Sequence, residues 1–198
     1  MHQLQRAKPQ EMSAVMWGFA RLGTACAPNK LFMEAVSHKL AWSMEQFGGQ
    51  ELSMVLWAMA TLGYRPKRAT LRAAELRLIA LAPQLSAQDV GNSLWALGRM
   101  RFRAAELLEA LPRSLISRLH EFRPQEMSCL LYGYTHARHL HEPLLEAAVP
   151  VGWSSGDPHM PAHECWARTM QLFTAKFRSH FSLLPVLHGA VHRACKPP

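Results

Sequence analysis

Side chains that can carry positive charge or donate hydrogen bonds recur in this chain around a repeating aromatic residue. The aromatic positions are Trp17, Trp57, Trp95 and Tyr132, which lie 40, 38 and 37 residues apart. If the aromatic residue is position 0, position +4 is polar or basic and position −7 is always glutamine. The +4 residues are Arg21, Thr61, Arg99 and His136, and the −7 residues are Gln10, Gln50, Gln88 and Gln125. These groups suit repeated contacts with an anionic or hydrogen-bonding ligand.

The elements that carry these side chains are predicted to be helical hairpins. Apolar residues around each aromatic fall at spacings of three and four, which indicates helices at residues 9–22, 49–62, 87–100 and 124–137. Second helices are expected at residues 29–44, 68–80 and 104–119. Pro112 should kink or restart the last of these, because proline lacks the backbone donor. No segment alternates with period two, as a strand would.

A unit of roughly 38 residues is too short to bury its own apolar face and must stack on its neighbours. We therefore predict an all-α fold, an α-solenoid of about four to five hairpin repeats. The array is expected over residues 1–141. Residues 142–198 are expected to form C-terminal helices, at 144–149, 162–177 and 180–193 with a loop at 152–161. The helix at 144–149 is expected to complete the fourth hairpin. The other two helices are interpreted as a degenerate fifth repeat or cap, with Trp166 in the aromatic position.

Two interpretations remain open for several positions of the first helices. Positions −7, −3, +1 and +4 share one helix face. Position +1, always Gly or Ala, either admits a flat base or allows close helix packing, and glutamine at −7 either contacts a ligand or caps the helix. Asn92 occupies the variable −3 position and could select a base. The tryptophans are expected to be largely buried between hairpins rather than to stack on bases.

The charge distribution favours a polyanionic partner. The net charge is +8, and residues 1–141 hold 17 Lys/Arg against 10 Asp/Glu, whereas the remainder holds 5 against 4. Basic side chains neutralise phosphates and release counterions, which supplies much of non-specific nucleic-acid affinity. A well-solvated basic surface would give the same composition.

Other classes of protein find little support in the sequence. The cysteines (Cys26, Cys129, Cys165, Cys195) form no CxxC pair, so a reducing compartment is expected. No apolar run approaches the roughly 18 to 20 residues of a membrane span. The N-terminus has no apolar signal core, so either a targeting segment has been removed or the chain begins partway into a longer protein.

Catalytic and metal-binding motifs are also missing from the sequence. HExxH, P-loop, GxSxG and GxGxxG motifs are absent, and we predict a non-enzymatic protein without a cofactor. His188, His192 and Cys195 share a helical spacing, but three ligands near a chain end do not predict zinc. His136, His139 and His141 are interpreted as a polar patch.

Residues 50–63, with the sequence QELSMVLWAMATLG, resemble the octotricopeptide repeats and the related heptatricopeptide or RAP-associated repeats of organellar proteins. The resemblance covers about residues 9–139. The third unit departs at Gly91 and Arg101, the fourth at Tyr132 and Arg138, and no recognisable RAP domain follows.

The resemblance implies an RNA-binding protein of the mitochondrion, or alternatively of the chloroplast. Such a protein would act in RNA processing, stability or translation, or in a ribonucleoprotein such as the organellar ribosome, and would bind single-stranded or ribosomal RNA. The different-class alternative is a scaffold that grips a polypeptide in a large organellar complex. The predicted RNA-binding residues are Gln10, Arg21, Gln50, Thr61, Gln88, Asn92, Arg99, Gln125 and His136.

Overall fold

Helices form the architecture of the part of the chain that the structure describes. A computed structural model describes residues 6–139 and 141–153, and no strand occurs in these ranges. The all-α prediction is therefore confirmed. The helices are α1 Pro9–Leu22, α2 Lys30–Trp42, α3 Gly49–Thr61, α4 Arg68–Leu81, α5 Ala87–Arg99, α6 Ala105–Ala110, α7 Pro112–Leu115, α8 Pro124–Ala137 and α9 Glu142–Trp153. Short 3-10 turns lie at Thr24–Cys26, Met44–Gln46, Ala82–Gln84 and Ile116–Glu121.

The predicted first helices match α1, α3, α5 and α8 to within one residue. The predicted break in the third hairpin is also confirmed. Helix α6 ends at Ala110 and α7 begins at Pro112, where proline occupies the first helical position and its missing N–H leaves no bond unmade.

The helices form two layers. Helix α1 packs on α3, α3 on α5, and α5 on α8, so the first helices of consecutive hairpins lie side by side. The second helices follow the same order, with α2 against α4 and α4 against α6. Buried apolar side chains from both layers form one core, in which Met16, Leu56 and Leu94 occupy equivalent positions.

Polar bonds also join consecutive first helices. The Gln10 amide donates to Glu51 Oε1 at 3.2 Å, and the Ser53 hydroxyl donates to Asp89 Oδ1 at 3.0 Å. Two of the acids at position −6, Glu51 and Asp89, therefore accept bonds from the preceding unit. Three acids at this position also cap their own helices: Glu11, Asp89 and Glu126 accept from the backbone N–H groups of Lys8, Ser86 and Arg123. An acid in the first turn of a helix also interacts favourably with the helix dipole.

Glycine permits a closer approach between α5 and α8. A Cβ at Gly91 would lie 3.3 Å from the Glu126 Cα and carbonyl oxygen, and a Cβ at Gly133 would lie 2.7 Å from the Leu94 Cβ. Gly91 replaces the serine that the other units carry at position −4. The departure from the repeat pattern is thus explained by contact with the next unit's backbone.

A buried carboxylate connects the second layer. Glu75 of α4 is almost fully buried, and its Oε1 accepts from the backbone N–H groups of Glu106 and Leu107 at 3.1 and 3.2 Å. These groups belong to the first turn of α6, where backbone donors have no intrahelical partner. Arg72 neutralises the other carboxylate oxygen at 2.6 Å. Glu75 therefore caps a helix of the following hairpin.

The C-terminal predictions are settled only in part. Helix α9 runs over Glu142–Trp153, so the predicted helix at 144–149 is longer than expected and the loop does not begin at Gly152. The predicted helices at 162–177 and 180–193, and the roles considered for Trp166, His188, His192 and Cys195, lie outside the described residues.

Candidate nucleic-acid interface

The four aromatic residues and their +4 partners form one column along the first-helix layer. The Arg21 guanidinium carbon lies 5.6 Å from the centre of the Trp17 ring, and that of Arg99 lies 5.9 Å from the Trp95 ring. In the fourth unit the His136 ring stacks on Tyr132 at 3.9 Å. Successive units meet as well, because the Trp57 and Trp95 rings lie 6.5 Å apart. We call the four aromatic residues, together with Arg21, Arg99 and His136, the aromatic-basic column.

The prediction that the tryptophans are largely buried is wrong for Trp17, which is 46% exposed, and overstated for Trp57 and Trp95, which are partly buried. The apolar stripe that fills the core lies at positions −5, −1 and +2, on the opposite side of each first helix. A ring at position 0 therefore borders the outer surface, where Trp17 is the most exposed and Trp57 and Trp95 also pack against the core. The sequence showed that the ring follows position −1 of the apolar stripe. It did not show whether the ring faces the core or the outer surface.

Position +1 lies between helices rather than on the accessible face. Ala58 and Ala96 are fully buried, and Gly133 touches Leu94. The packing interpretation of the small residue is confirmed for these three units. The accessible face is therefore formed by positions −7, −3, 0 and +4, which are spaced by four, three and four residues.

The glutamines at position −7 are all exposed, at the N-terminal end of this face. They occupy the first turn of each helix, but the capping bonds come from the acids beside them, so the capping interpretation of glutamine is wrong. Asn92 is half-buried at position −3. Thr61 does not fit its predicted role, because its hydroxyl oxygen is buried and has no hydrogen-bond partner among the described residues.

Among the described residues, several basic side chains of the second layer have acidic partners, whereas the arginines of the column do not. Within residues 6–139 and 141–153, Lys30, Arg72, Arg77 and Arg118 pair with acids, and all four lie on second helices or their turns. Arg21 and Arg99 of the column have no acidic partner in those ranges. Their positive charge is therefore not neutralised within the described part of the protein and is available to an anionic ligand.

Two further arginines, Arg101 and Arg138, lie close to the column in the sequence, and their roles were not predicted. Position +6 has a positive φ in every unit: 83° at Gly23, 72° at Gly63, 53° at Arg101 and 52° at Arg138. In the last three units, the residue at position +6 ends the helix and turns the chain back on it. The following N–H then bonds to the helix: Phe102 N–H, for example, donates to the Leu97 carbonyl at 2.9 Å.

A left-handed backbone costs a residue with a Cβ roughly 1–2 kcal/mol, whereas glycine adopts it freely. Arg101 and Arg138 are exposed, and they lie two residues beyond the +4 members of the column. Strained non-glycine residues at an exposed surface are candidates for function. The sequence feature that could have identified these two residues is the replacement of glycine by arginine at position +6.

Tyr132 packs closely against the preceding first helix, α5. A Cβ at Gly98 would lie 2.8 Å from the Tyr132 ring, so the fourth aromatic lies directly against α5. Burial raises the pKa of the Tyr132 phenol, although nearby Arg99 opposes this shift. The phenol is therefore neutral near pH 7 and can donate a hydrogen bond.

Metal-binding clusters and membrane-spanning helices are both absent from the described ranges. No group of three or more His, Cys, Asp or Glu residues there could hold a metal ion. No helix in those ranges is both long enough and apolar enough to cross a membrane.

Comparison with known proteins does not assign the chain to a family. No protein-family model and no curated protein sequence matches it.

Proposed function

We propose that this protein binds single-stranded RNA along the aromatic-basic column, in a helical-repeat array that continues as an α-solenoid. The observation that carries the proposal is the pairing of aromatic rings with arginines that lack an acidic partner in the described ranges, on the first helices α1 and α5. Arg21 lies over Trp17 and Arg99 over Trp95, while Arg72 and Arg77 of the second layer pair with acids.

The chemistry of this column suits a single strand. An accessible indole or phenol ring offers a π-face to an unpaired base, and base–aromatic stacking contributes roughly 1–3 kcal/mol per base. The arginines beside the rings can pair with the phosphates that follow each base. Double-stranded RNA keeps its base faces stacked internally, so the rings would contribute little to its binding.

The polarity of the first helices gives the path of the strand. Three of the four first helices, α1, α5 and α8, have an acid near the N-terminus and a basic residue near the C-terminus, as Asp89 and Arg99 illustrate in α5. Phosphates would therefore follow the C-terminal ends, past Arg99 and Arg101. Bases would point back toward the rings and toward Asn92 at position −3, which could select among them.

Biologically, we propose a role in organellar RNA metabolism, in a mitochondrion or alternatively a chloroplast. RNA processing, stability, translation and membership of an organellar ribonucleoprotein all fall within this role. The support is the resemblance of residues 50–63 to octotricopeptide repeats together with the basic column.

The test compares RNA binding by the wild-type chain and by the Arg21→Glu, Arg99→Glu double variant at several salt concentrations. We expect weaker binding and a salt slope lower by about 0.7 for each lost phosphate contact, because each contact releases condensed counterions. The Arg68→Glu, Arg113→Glu double variant changes the net charge by the same amount and is the matched control, since Arg68 of α4 and Arg113 of α7 are exposed in the second layer. This control changes the net charge without touching the column.

Circular dichroism should show an intact fold in all variants. Equal losses for the control and the column variants would mean that binding depends on net charge alone. If RNA affinity is unchanged in the double variant while a protein partner is lost, the protein-scaffold function is correct.

A further inference from the structure

Helix α1 exposes a face that is buried in every later first helix. Positions −6, −2, +1 and +5 are spaced by four, three and four residues and therefore form one stripe. In unit 1 these residues are Glu11, Val15, Gly18 and Leu22. Val15 is 49% exposed and Leu22 is 66% exposed.

The equivalent stripes of α3, α5 and α8 contact the helix before them. Val55 at −2 is fully buried, and Met100 and Ala137 at +5 are nearly so. Gly133 at +1 lies against Leu94 of the preceding unit, and Asp89 at −6 accepts a bond from Ser53 of the preceding unit. This stripe is therefore the surface by which each unit packs on its predecessor.

Gly18 has no contact that accounts for it. A Cβ at Gly18 would meet nothing within 4 Å, whereas a Cβ at Gly133 would collide with Leu94. Glycine inside a helix costs roughly 0.5–1 kcal/mol relative to alanine. Unit 1 thus carries the small residue needed for close helix packing without a helix packed there.

Glu11 supplies a second, polar feature. Its Oε2 accepts from the Lys8 N–H at 2.8 Å, which is how Asp89 uses one oxygen to cap its own helix. The other oxygen of Asp89 accepts from the preceding unit. No described residue bonds to Glu11 Oε1, the atom that corresponds to this second acceptor.

The opposite end of the described stack does not show the same exposure. On α8, the side that would meet a following unit holds Ser128, Leu131 and Thr135, and all three are buried. Within residues 6–139 and 141–153, a second copy of this chain therefore offers no open surface of the required kind to place against α1 in a head-to-tail stack.

We propose that the α1 stripe binds one further helical hairpin of the same repeat type, whose first helix lies parallel to α1. The pairings within the stack define its chemistry. It would place a leucine against Gly18, as Leu94 lies against Gly133, and a glutamine or serine against Glu11, as Gln10 and Ser53 lie against the acids that follow them. This inference does not depend on RNA binding.

The experiment adds such a hairpin to the chain in place of residues 1–7. A copy of residues 48–85 is joined directly before Lys8, which keeps the register because Gly48, Ser86 and Lys8 occupy the same position before their helices. The Val15→Cys variant is made in the chain with this copy and in the chain without it. The alkylation rate of the peptide that contains residue 15 then measures how accessible the stripe is in each.

We expect the added hairpin to slow alkylation at residue 15 at least tenfold and to unfold together with the chain in one transition at a higher urea midpoint. Gly18→Leu is the matched variant. It should restore fast alkylation in the extended chain, where the leucine side chain would separate the helices, and should leave the original chain folded.

Alkylation that stays fast with the hairpin added, or a hairpin that unfolds separately at lower urea, overturns the proposal. Light scattering tests the competing occupant. If the original chain is a dimer and Val15→Asp makes it a monomer, the stripe binds a second copy and the proposal is wrong.

Discussion

Arginine at a left-handed backbone position is the most informative single-residue feature of the candidate site. Gly63, Arg101 and Arg138 close their helices in the same way, so the positive φ does not require arginine. A basic residue near a helix C-terminus gains roughly 0.3–1 kcal/mol from the helix dipole, and Arg99 already supplies one there. The extra strain at position +6 is thus better explained by a contact that arginine makes with a ligand.

Arg101→Gly should therefore separate stability from binding. We expect the free energy of unfolding to rise by roughly 1 kcal/mol, because glycine relieves the left-handed strain, and RNA affinity to fall. Urea unfolding and a binding titration measure the two quantities. Gly63→Ala is the control for strain and should destabilise the protein. Unchanged RNA affinity for Arg101→Gly would remove this residue from the interface.

Trp17→Leu tests the aromatic contribution at the same scale. Leucine keeps apolar contact but has no π-face, so we expect a small change in stability and an affinity loss of up to roughly 1–3 kcal/mol. Trp42 is 84% exposed on α2 of the second layer and provides the matched control. If Trp17→Leu and Trp42→Leu behave alike in an RNA titration, stacking on the column is not part of binding.

Contacts between elements explain why particular residues were found from the sequence and others were not. Helix spacing predicted α1, α3, α5 and α8, because core burial repeats every three to four residues. It did not predict Glu75, because the helix that this carboxylate caps lies 31 residues later in the chain. The sequence also did not explain why residue 91 is glycine, because Gly91 contacts the backbone of another unit.

Removing the Glu75 cap should loosen α6. We expect Glu75→Ala to lower the free energy of unfolding by roughly 1–3 kcal/mol, because two buried N–H groups lose their acceptor. Hydrogen exchange at Glu106 and Leu107 should become faster. Glu75→Gln keeps an oxygen for these donors and should cost clearly less. Equal losses for the two variants would show that the charge pair with Arg72 dominates instead.

The glycine contacts give a second prediction at the level of helix packing. Gly133→Ala should destabilise the protein by roughly 1–3 kcal/mol, since its Cβ would force α5 and α8 apart. Gly18→Ala has open space and should stabilise α1 by up to about 1 kcal/mol through helix propensity. Thermal unfolding of both variants makes the comparison. A stabilising Gly133→Ala would contradict the close approach of α5 and α8.

For the whole molecule, repeat periodicity predicted more than composition did. The recurring aromatic predicted the hairpins and the order in which they pack, whereas a net charge of +8 favoured a polyanion without locating its surface. The sequence placed +1 on the accessible face, whereas the structure buries Ala58 and Ala96 at +1 and leaves position 0 nearer the surface. On a helix these two positions differ by about 100°, and only contacts between units determine which of them is buried.

Ultraviolet crosslinking of single-stranded RNA to the intact protein, followed by peptide mapping, tests the central claim most directly. Our account predicts crosslinks in the peptides that contain Trp17, Trp95 and Tyr132 on the first-helix face. It predicts none at Trp42, although that indole is the more exposed. Crosslinks concentrated on the second-helix layer, or equal labelling of Trp42 and Trp17, would contradict it.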